Sequence, residues 1–332
     1  MRVLLVGGNR FVGRALAYRL IARGDEVTLL NRGSLVDPFG ARVERICVDR
    51  TTEGFALALA GRSFDAVVDF ACFTAADARG AVTALGDRVG HYVFVSTGQV
   101  YLVRDGCPSP AREADYAGPL MTAPDDPKER SEWDYGMGKR AAEDVFAEAW
   151  LSRGFPSTRL RIPMVNGERD HFRRIEGYLW RLLDRGPVLV PDGGTRPTRH
   201  VYSGAVVRAI ANLLGKSDTF GVAYNLAQNE TPTLVEILER LASHLGAQPK
   251  LVAVPRTRLV AAGLDPLAIS PFSGRWMSFL DPTLAHERLG FHHEPLDEYL
   301  GRVVACFLAH PPDEPPPGYA RRLDETALAA GL

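Results

Sequence analysis

The first thirteen residues constrain this chain most. Val3-Leu4-Leu5-Val6 is an unbroken apolar run that stops at Gly7-Gly8, as a strand buried on both faces would. Phe11, Val12, Leu16, Leu20 and Ile21 then recur at helical spacing until Gly24. Val27-Thr28-Leu29-Leu30 reads as the next strand, ending at Asn31-Arg32-Gly33. Further strands are predicted over residues 43–48, 66–70 and 92–95, with a helix over 75–85. Strands alternating with helices predict an α/β chain with a parallel sheet and right-handed crossovers.

Beyond residue 104 the pattern dissolves. Pro108, Pro110, Pro119, Pro124 and Pro127 argue against regular structure over 104–128, which reads as a lid or a disordered segment. Helices are predicted over 134–150, 172–183, 204–214 and, behind a Thr cap, 233–245. Strands are predicted over 157–165, 188–190 and 223–226. The expected organisation is a first domain over residues 1–163 and a smaller C-terminal substrate lobe over 164–310, with the chain partly returning to the first domain. The proline run from Pro311 to Pro317 predicts that 311–332 is a tail.

Composition narrows the function classes. With 332 residues, 46% hydrophobic and 24% charged, the chain is an ordinary globular sequence. A formal charge of −1 argues against a nucleic-acid partner, and no apolar run is long enough for a membrane partner. Cys47, Cys72, Cys107 and Cys306 are scattered without C-x-x-C spacing, so they read as reduced thiols of a cytoplasmic protein. No metal site is expected, since His292-His293 lacks a ligand pattern.

The turn Gly7-Gly8-Asn9-Arg10-Phe11-Val12-Gly13 lies where a strand hands over to a helix. A diphosphate suits that place, because the helix N-terminus offers free N–H groups and a positive dipole end. Gly7 permits the tight turn, and Gly13 permits close packing of helix on strand. The second strand ends in Asn31-Arg32, with no carboxylate for a ribose 2′-hydroxyl. Arg10 and Arg32 suit a 2′-phosphate, so NADP(H) is favoured over NAD(H). Asp49, with Arg50 beside it, is the candidate contact to adenine.

Tyr135-Gly136-Met137-Gly138-Lys139 puts a phenol and an ammonium on one helix face. The ammonium is expected to lower the phenol's pKa, letting it exchange protons during hydride transfer. Ser96 and Thr97 lie at the C-terminal end of a buried strand, where α/β sheets place ligands. Thr97 would orient the reacting oxygen beside Tyr135, and Gln99 could reach the substrate from the same loop.

These features, with Leu160-Arg161-Ile162-Pro163, residues 196–201, Asp281-Pro282-Thr283-Leu284-Ala285 and Leu289-Gly290, resemble the extended short-chain dehydrogenase/reductase superfamily, the NAD(P)-dependent epimerase/dehydratase group. The resemblance implies a doubly wound, Rossmann-type parallel sheet with a smaller C-terminal substrate-binding lobe, with Tyr135 as the general acid/base and Thr97 binding the reacting oxygen. It also implies that Lys139 holds the nicotinamide ribose and that Ile162 and Pro163 contact the carboxamide. Ser96, Phe70, Ala71 and Cys72 would line the cofactor, and two first-domain helices would form a homodimer. Arg10 stands where the family's middle glycine lies, and Cys72 stands for another glycine. Met164 replaces an asparagine that binds a sugar-nucleotide diphosphate, whereas Arg196 matches the arginine aimed at that diphosphate. Arg275 is a further candidate for a phosphate. The implied function is a nucleotide-sugar epimerase or dehydratase acting at a carbinol carbon. The alternatives are an NADPH-dependent reductase of a non-nucleotide ketone or alcohol, and a non-catalytic NADP(H)- or RNA-binding protein.

Overall fold

The computed structural model describes residues Met1–Leu332. In chain order the first elements are β1 (Arg2–Val6), α1 (Phe11–Arg23), β2 (Glu26–Asn31), β3 (Val43–Cys47), α2 (Gly54–Leu59) and β4 (Ala66–Asp69). There follow α3 (Ala75–Leu85), β5 (Tyr92–Thr97), α4 (Gln99–Leu102), α5 (Pro127–Arg153), β6 (Ser157–Ile162) and β7 (Val165–Asn166). The middle part is α6 (Arg174–Leu183), β8 (Pro187–Pro191), β9 (Val201–Tyr202), α7 (Ser203–Leu213), β10 (Ala223–Asn225) and α8 (Leu234–Leu245). The chain closes with β11 (Lys250–Val254), α9 (Arg256–Ala261), α10 (Pro266–Ile269), α11 (Thr283–Leu289), α12 (Leu296–Ala309) and α13 (Arg322–Ala330).

The chain divides into two compact units. The first comprises residues 1–163, 203–227 and 278–292. It is built on a seven-stranded sheet in the order β10-β6-β5-β4-β1-β2-β3, every pair parallel. This is the doubly wound α/β architecture, and the strand order reverses between β1 and β4. The central strands are apolar throughout because helices cover both faces. One face buries Leu4, Val67 and Phe94 with Phe146 of α5 and Val82 of α3. On that face Phe146 packs its ring 4.9 Å from Tyr92 and 5.1 Å from Phe94.

Two local expectations fail in this unit. Helix α5 starts at Pro127, seven residues before the expected Asp134. The Asp126 carboxylate caps it by accepting from the N–H groups of Lys128 and Glu129, so Pro127 opens the helix at N1, where its missing donor costs nothing. Residues 104–126 are neither a free lid nor disordered. Ala111 bridges Leu280, Arg104 bridges Leu120, and Arg140 donates to the Tyr116 carbonyl at 2.9 Å. The short helix α2 had no sequence signal, its six residues being too few to establish a period.

The second unit comprises residues 164–202, 228–277 and 293–332. Its two small parallel sheets pair β8 with β11 and β7 with β9, so the strand expected over 157–165 is two strands in two units. Residues 311–332 are not a tail. Pro317–Tyr319 forms a 3₁₀ turn, and α13 inserts Glu325 against Arg181 of α6, both side chains essentially without exposure. Arg322 adds a second cation to Glu325 and pairs with Asp184. The proline run ends α12 and turns the chain back. No helix is long and apolar enough to cross a membrane.

Breaking a buried ion pair by removing one partner costs about 3–5 kcal/mol. Glu325→Ala is therefore expected to lower the unfolding midpoint clearly, whereas Asp324→Ala on the exposed side of α13 leaves it within about 0.5 kcal/mol of wild type. Urea denaturation of the two variants checks this.

Candidate active site

The glycine turn folds as its residue types require. Gly7 has a φ of +85°, and its N–H donates to the Leu30 carbonyl at 2.9 Å. A Cβ on Gly13 would stand 2.8 Å from the Gly8 Cα, so only glycine lets α1 lie this close to the turn. The N-cap of α1 is Arg10, with no side-chain cap bond and no acidic residue in the first turn. The positive dipole end of α1 therefore meets no capping side chain and no carboxylate of its own first turn, which fits the diphosphate of a dinucleotide.

Other expected cofactor residues gather around this turn. A Cβ on Gly7 would lie 3.2 Å from that of Ala71, and the Phe70 N–H donates to the Val6 carbonyl, so the β1 and β4 ends meet at the switch point. Asn9 is half-buried and Val12 buried, while Arg10 and Arg32 are exposed. Asn31 closes its turn by accepting from the Gly33 N–H at 2.8 Å. Thr51 hydrogen bonds, with a contribution from Arg32, hold the Asp49 carboxyl below the usual range. Ile162 accepts from the Gly98 N–H at 2.8 Å, pinning the end of β6, and with it Pro163, to the turn after Thr97.

Four expected contacts are engaged elsewhere. The Arg50 guanidinium lies inside the first unit, 2.5 Å from Asp69 and 3.4 Å from Asp77, and so does not face the cofactor through its charge. The Cys72 side chain is buried in the core among α3 and α5, and burial raises its thiol pKa. The Ser96 hydroxyl donates to Glu143 at 2.5 Å. The Gln99 amide donates to the Glu132 carbonyl at 3.1 Å and to its carboxylate, bracing α5.

The reacting groups come together at the end of β5. Tyr135 is 37% exposed, and the Thr97 hydroxyl, near enough to act on its phenol, accepts from the Gln99 N–H at 3.2 Å. Two glycines set the approach. A Cβ on Gly136 would lie 2.6 Å from Val103 Cγ1 and 3.0 Å from the Gln99 carbonyl, and one on Gly138 would lie 2.5 Å from the Phe73 carbonyl. Lys139 is 2% exposed and donates to the Val95 carbonyl at 2.9 Å.

The electrostatics differ from the sequence expectation. Desolvation raises the Tyr135 pKa, Thr97 pulls it down, and Glu132 pushes it up. Burial pushes the Lys139 ammonium down to about 8. In the dinucleotide-free protein the amine is anchored by β5, and the net shift of the phenol is upward.

One buried group went unread in the sequence. Arg161 of β6 forks onto Glu143 at 2.6–3.0 Å and reaches the Tyr101 hydroxyl at 2.6 Å, which in turn donates to Asn225. Glu143 lies one turn beyond Lys139, at the same i, i+4 step that links Tyr135 to Lys139, so the spacing alone could have flagged it.

The expected substrate residues belong to the second unit. The Met164 carbonyl accepts from the Val201 N–H at 3.0 Å, Arg196 is exposed, and exposed Arg275 lies 5.1 Å over the Trp276 ring.

A parallel sheet with an uncapped helix behind a glycine turn, and a Thr–Tyr–Lys group at a strand end, defines a dinucleotide-dependent α/β enzyme. Residues 3–227 match the NAD dependent epimerase/dehydratase family, and the chain belongs to it. The chain is similar to 2'-dehydrokanamycin reductase of Streptomyces kanamyceticus, 27% identical over 290 residues, covering 85% of this chain and 77% of that protein. It is also 24% identical to the chloroplast stem-loop binding protein of 41 kDa b of Arabidopsis thaliana, over 76% of this chain and 65% of that one. Its fold is similar to that of UDP-glucose 4-epimerase from Thermotoga maritima (TM-score 0.75, 19% identity, 93% and 99% of the two chains). It is likewise similar to dTDP-glucose 4,6-dehydratase from Bacillus anthracis, solved in complex with NAD (TM-score 0.73, 15% identity, 93% and 97%).

The lowered Lys139 pKa makes a stability prediction. Between about 8 and the ordinary 10.5, the unfolded chain holds a proton that the folded chain has released. This group's contribution therefore makes the fold more stable as pH rises through that window, by at most about 1.4 kcal/mol per pH unit. Lys139→Met is expected to remove that rise, read as the wild-type minus variant difference in unfolding free energy between pH 7.5 and 10 (an assay range of order set by these pKa values).

Proposed function

We propose that the protein is an NADP(H)-dependent oxidoreductase that reduces the carbonyl of a polyhydroxylated, sugar-like substrate. Thr97 at the end of β5, acting on the Tyr135 phenol, with Lys139 buried one helical turn further along α5, carries this reading. Bound dinucleotide would supply the hydride. Thr97 and Tyr135 would hold the substrate oxygen, and the phenol would give it the proton that completes the alcohol. Thr97, which draws the phenol's pKa down, would favour the phenolate left behind. The first-turn N–H groups of α1 would bind the diphosphate, and Arg10 and Arg32 would bind a 2′-phosphate.

Net reduction is favoured by Met164, whose thioether cannot replace an amide's hydrogen bonds to a sugar-nucleotide diphosphate. Similarity to a protein named as a reductase, over 85% of this chain, supports the same direction. The second reading is a nucleotide-sugar epimerase or dehydratase. It is favoured by Arg196 and by likeness in fold to an epimerase solved with UDP-glucose.

Steady-state NADPH absorbance separates the two readings. A panel of keto-sugars and nucleotide sugars is expected to give continuous NADPH consumption with a keto substrate. An epimerase would leave the dinucleotide level constant while the sugar product accumulates. Tyr135→Phe is expected to lower kcat by about 10²–10⁴-fold with dinucleotide affinity retained. Undiminished turnover in that variant would rule out the phenol as the proton donor.

A further inference from the structure

Lys139 is one of only four lysines in a chain that holds 39 lysines and arginines together. Lys128, Lys216 and Lys250 are exposed. Lys139 alone is interior, where it donates to one backbone carbonyl, that of Val95, at 2.9 Å. A buried ammonium with so few oxygen partners needs another source of negative potential.

Two aromatic rings supply it. The Lys139 Nζ lies 4.8 Å from the ring centre of Phe73 and 4.8 Å from that of Phe94. Aromatic faces carry partial negative charge, and a cation within about 6 Å is attracted to them, most strongly where water is excluded. Phe94 is a fully buried residue of β5 with an obvious role in the core. Phe73 is different. The residue is 48% exposed, so core packing does not account for it, yet its backbone is fixed. The Phe73 N–H donates to Asp77 at 2.9 Å within the capping box of α3, and its carbonyl meets the bare face of Gly138. The same ring stands 6.4 Å from that of Tyr135.

We propose that Phe73 is a positioning residue, forming with Phe94 a two-ring cage that keeps the Lys139 ammonium charged and fixed beneath Tyr135. Other charges also face this amine. Asp69 at the end of β4 and Glu143 on α5 favour the cation and Arg50 opposes it, while the Cys72 thiol in the loop after β4 is held protonated by burial. Asp69 is already paired with Arg50, and Glu143 with Arg161. The rings are thus partners not engaged by another cation in these pairs. The proposal rests on the catalytic reading of Lys139 only for its importance to turnover, since the cage itself is a feature of the dinucleotide-free protein.

Lysine labelled with ¹³C at the ε position gives four resonances, and Lys139→Arg identifies the one from Lys139. Its titration is followed by NMR without dinucleotide or substrate in wild type, Phe73→Leu and Phe73→Tyr. Leucine keeps an apolar cover but has no π face; tyrosine keeps the face. The Lys139 resonance is expected to titrate below the three surface lysines in wild type. It is expected to fall a further half to one pH unit (roughly) in Phe73→Leu, and to return in Phe73→Tyr. The alkaline limb of the reductase pH profile is expected to move with it. A Lys139 titration in Phe73→Leu that matches wild type, or lies above it, overturns the cage. If the titrations behave as expected but Tyr135→Phe keeps full turnover, the cage stands and the hydride-transfer reading falls.

Discussion

The close approach of α5 to the carboxyl end of β5 is the constraint on which the site depends. A helix carrying side chains at every position would be held off by backbone atoms of Gln99 and Phe73. Gly136 and Gly138 remove that obstacle on either side of Met137, so Tyr135 meets Thr97 and Lys139 reaches the Val95 carbonyl. Glycine is costly inside a helix, by about 1 kcal/mol each relative to alanine. A helix of 27 residues with an Asp126 cap and a Phe146–Ala149 face in the core can sustain two of them.

The charges buried around this contact hold the pieces in register. Glu143 ties α5 to Ser96 of β5 and to Arg161 of β6, and Arg161 reaches on to Tyr101 of α4. Arg50 ties the loop after β3 to Asp69 at the end of β4 and to Asp77 on α3. Each of these buried ions has an opposite charge and hydrogen-bonding partners, as the cost of desolvation demands. Their geometry fixes the loops at the switch point, where a dinucleotide would lie, before any ligand arrives. Preorganisation of this kind lowers the ordering cost of binding.

Much of this was legible in the sequence, and the failures have physical causes. The runs at Val3–Val6, Val27–Leu30 and Tyr92–Val95 announced buried parallel strands because burial on both faces leaves no polar alternation. The Gly7–Gly13 turn and the Tyr135/Lys139 pair were legible because both depend on local spacing. Pro127 misled because a proline signals both a helix start and a helix stop, and only the Asp126 cap decides between them. The proline run at 311–317 misled in the same way, since what anchors α13 is Arg181, 144 residues before Glu325. Arg50, Cys72, Ser96 and Gln99 were read as ligand contacts from their position along the chain. Their partners lie far away in sequence, 47 residues for Ser96 and Glu143, and nothing local reveals such a pairing. The expected lowering of the Tyr135 pKa by Lys139 failed because periodicity shows which side chains share a face, and not which carbonyl or ring one of them prefers.

Equilibrium binding of NADPH and NADH to the purified chain, followed by quenching of its tryptophan fluorescence, tests the central claim most directly. Saturable binding of one dinucleotide per chain is the result the account requires, tighter for NADPH because Arg10 and Arg32 flank the turn and no carboxylate ends β2. Failure of both dinucleotides to saturate the protein at millimolar concentration (of order the weakest specific affinities) would contradict it.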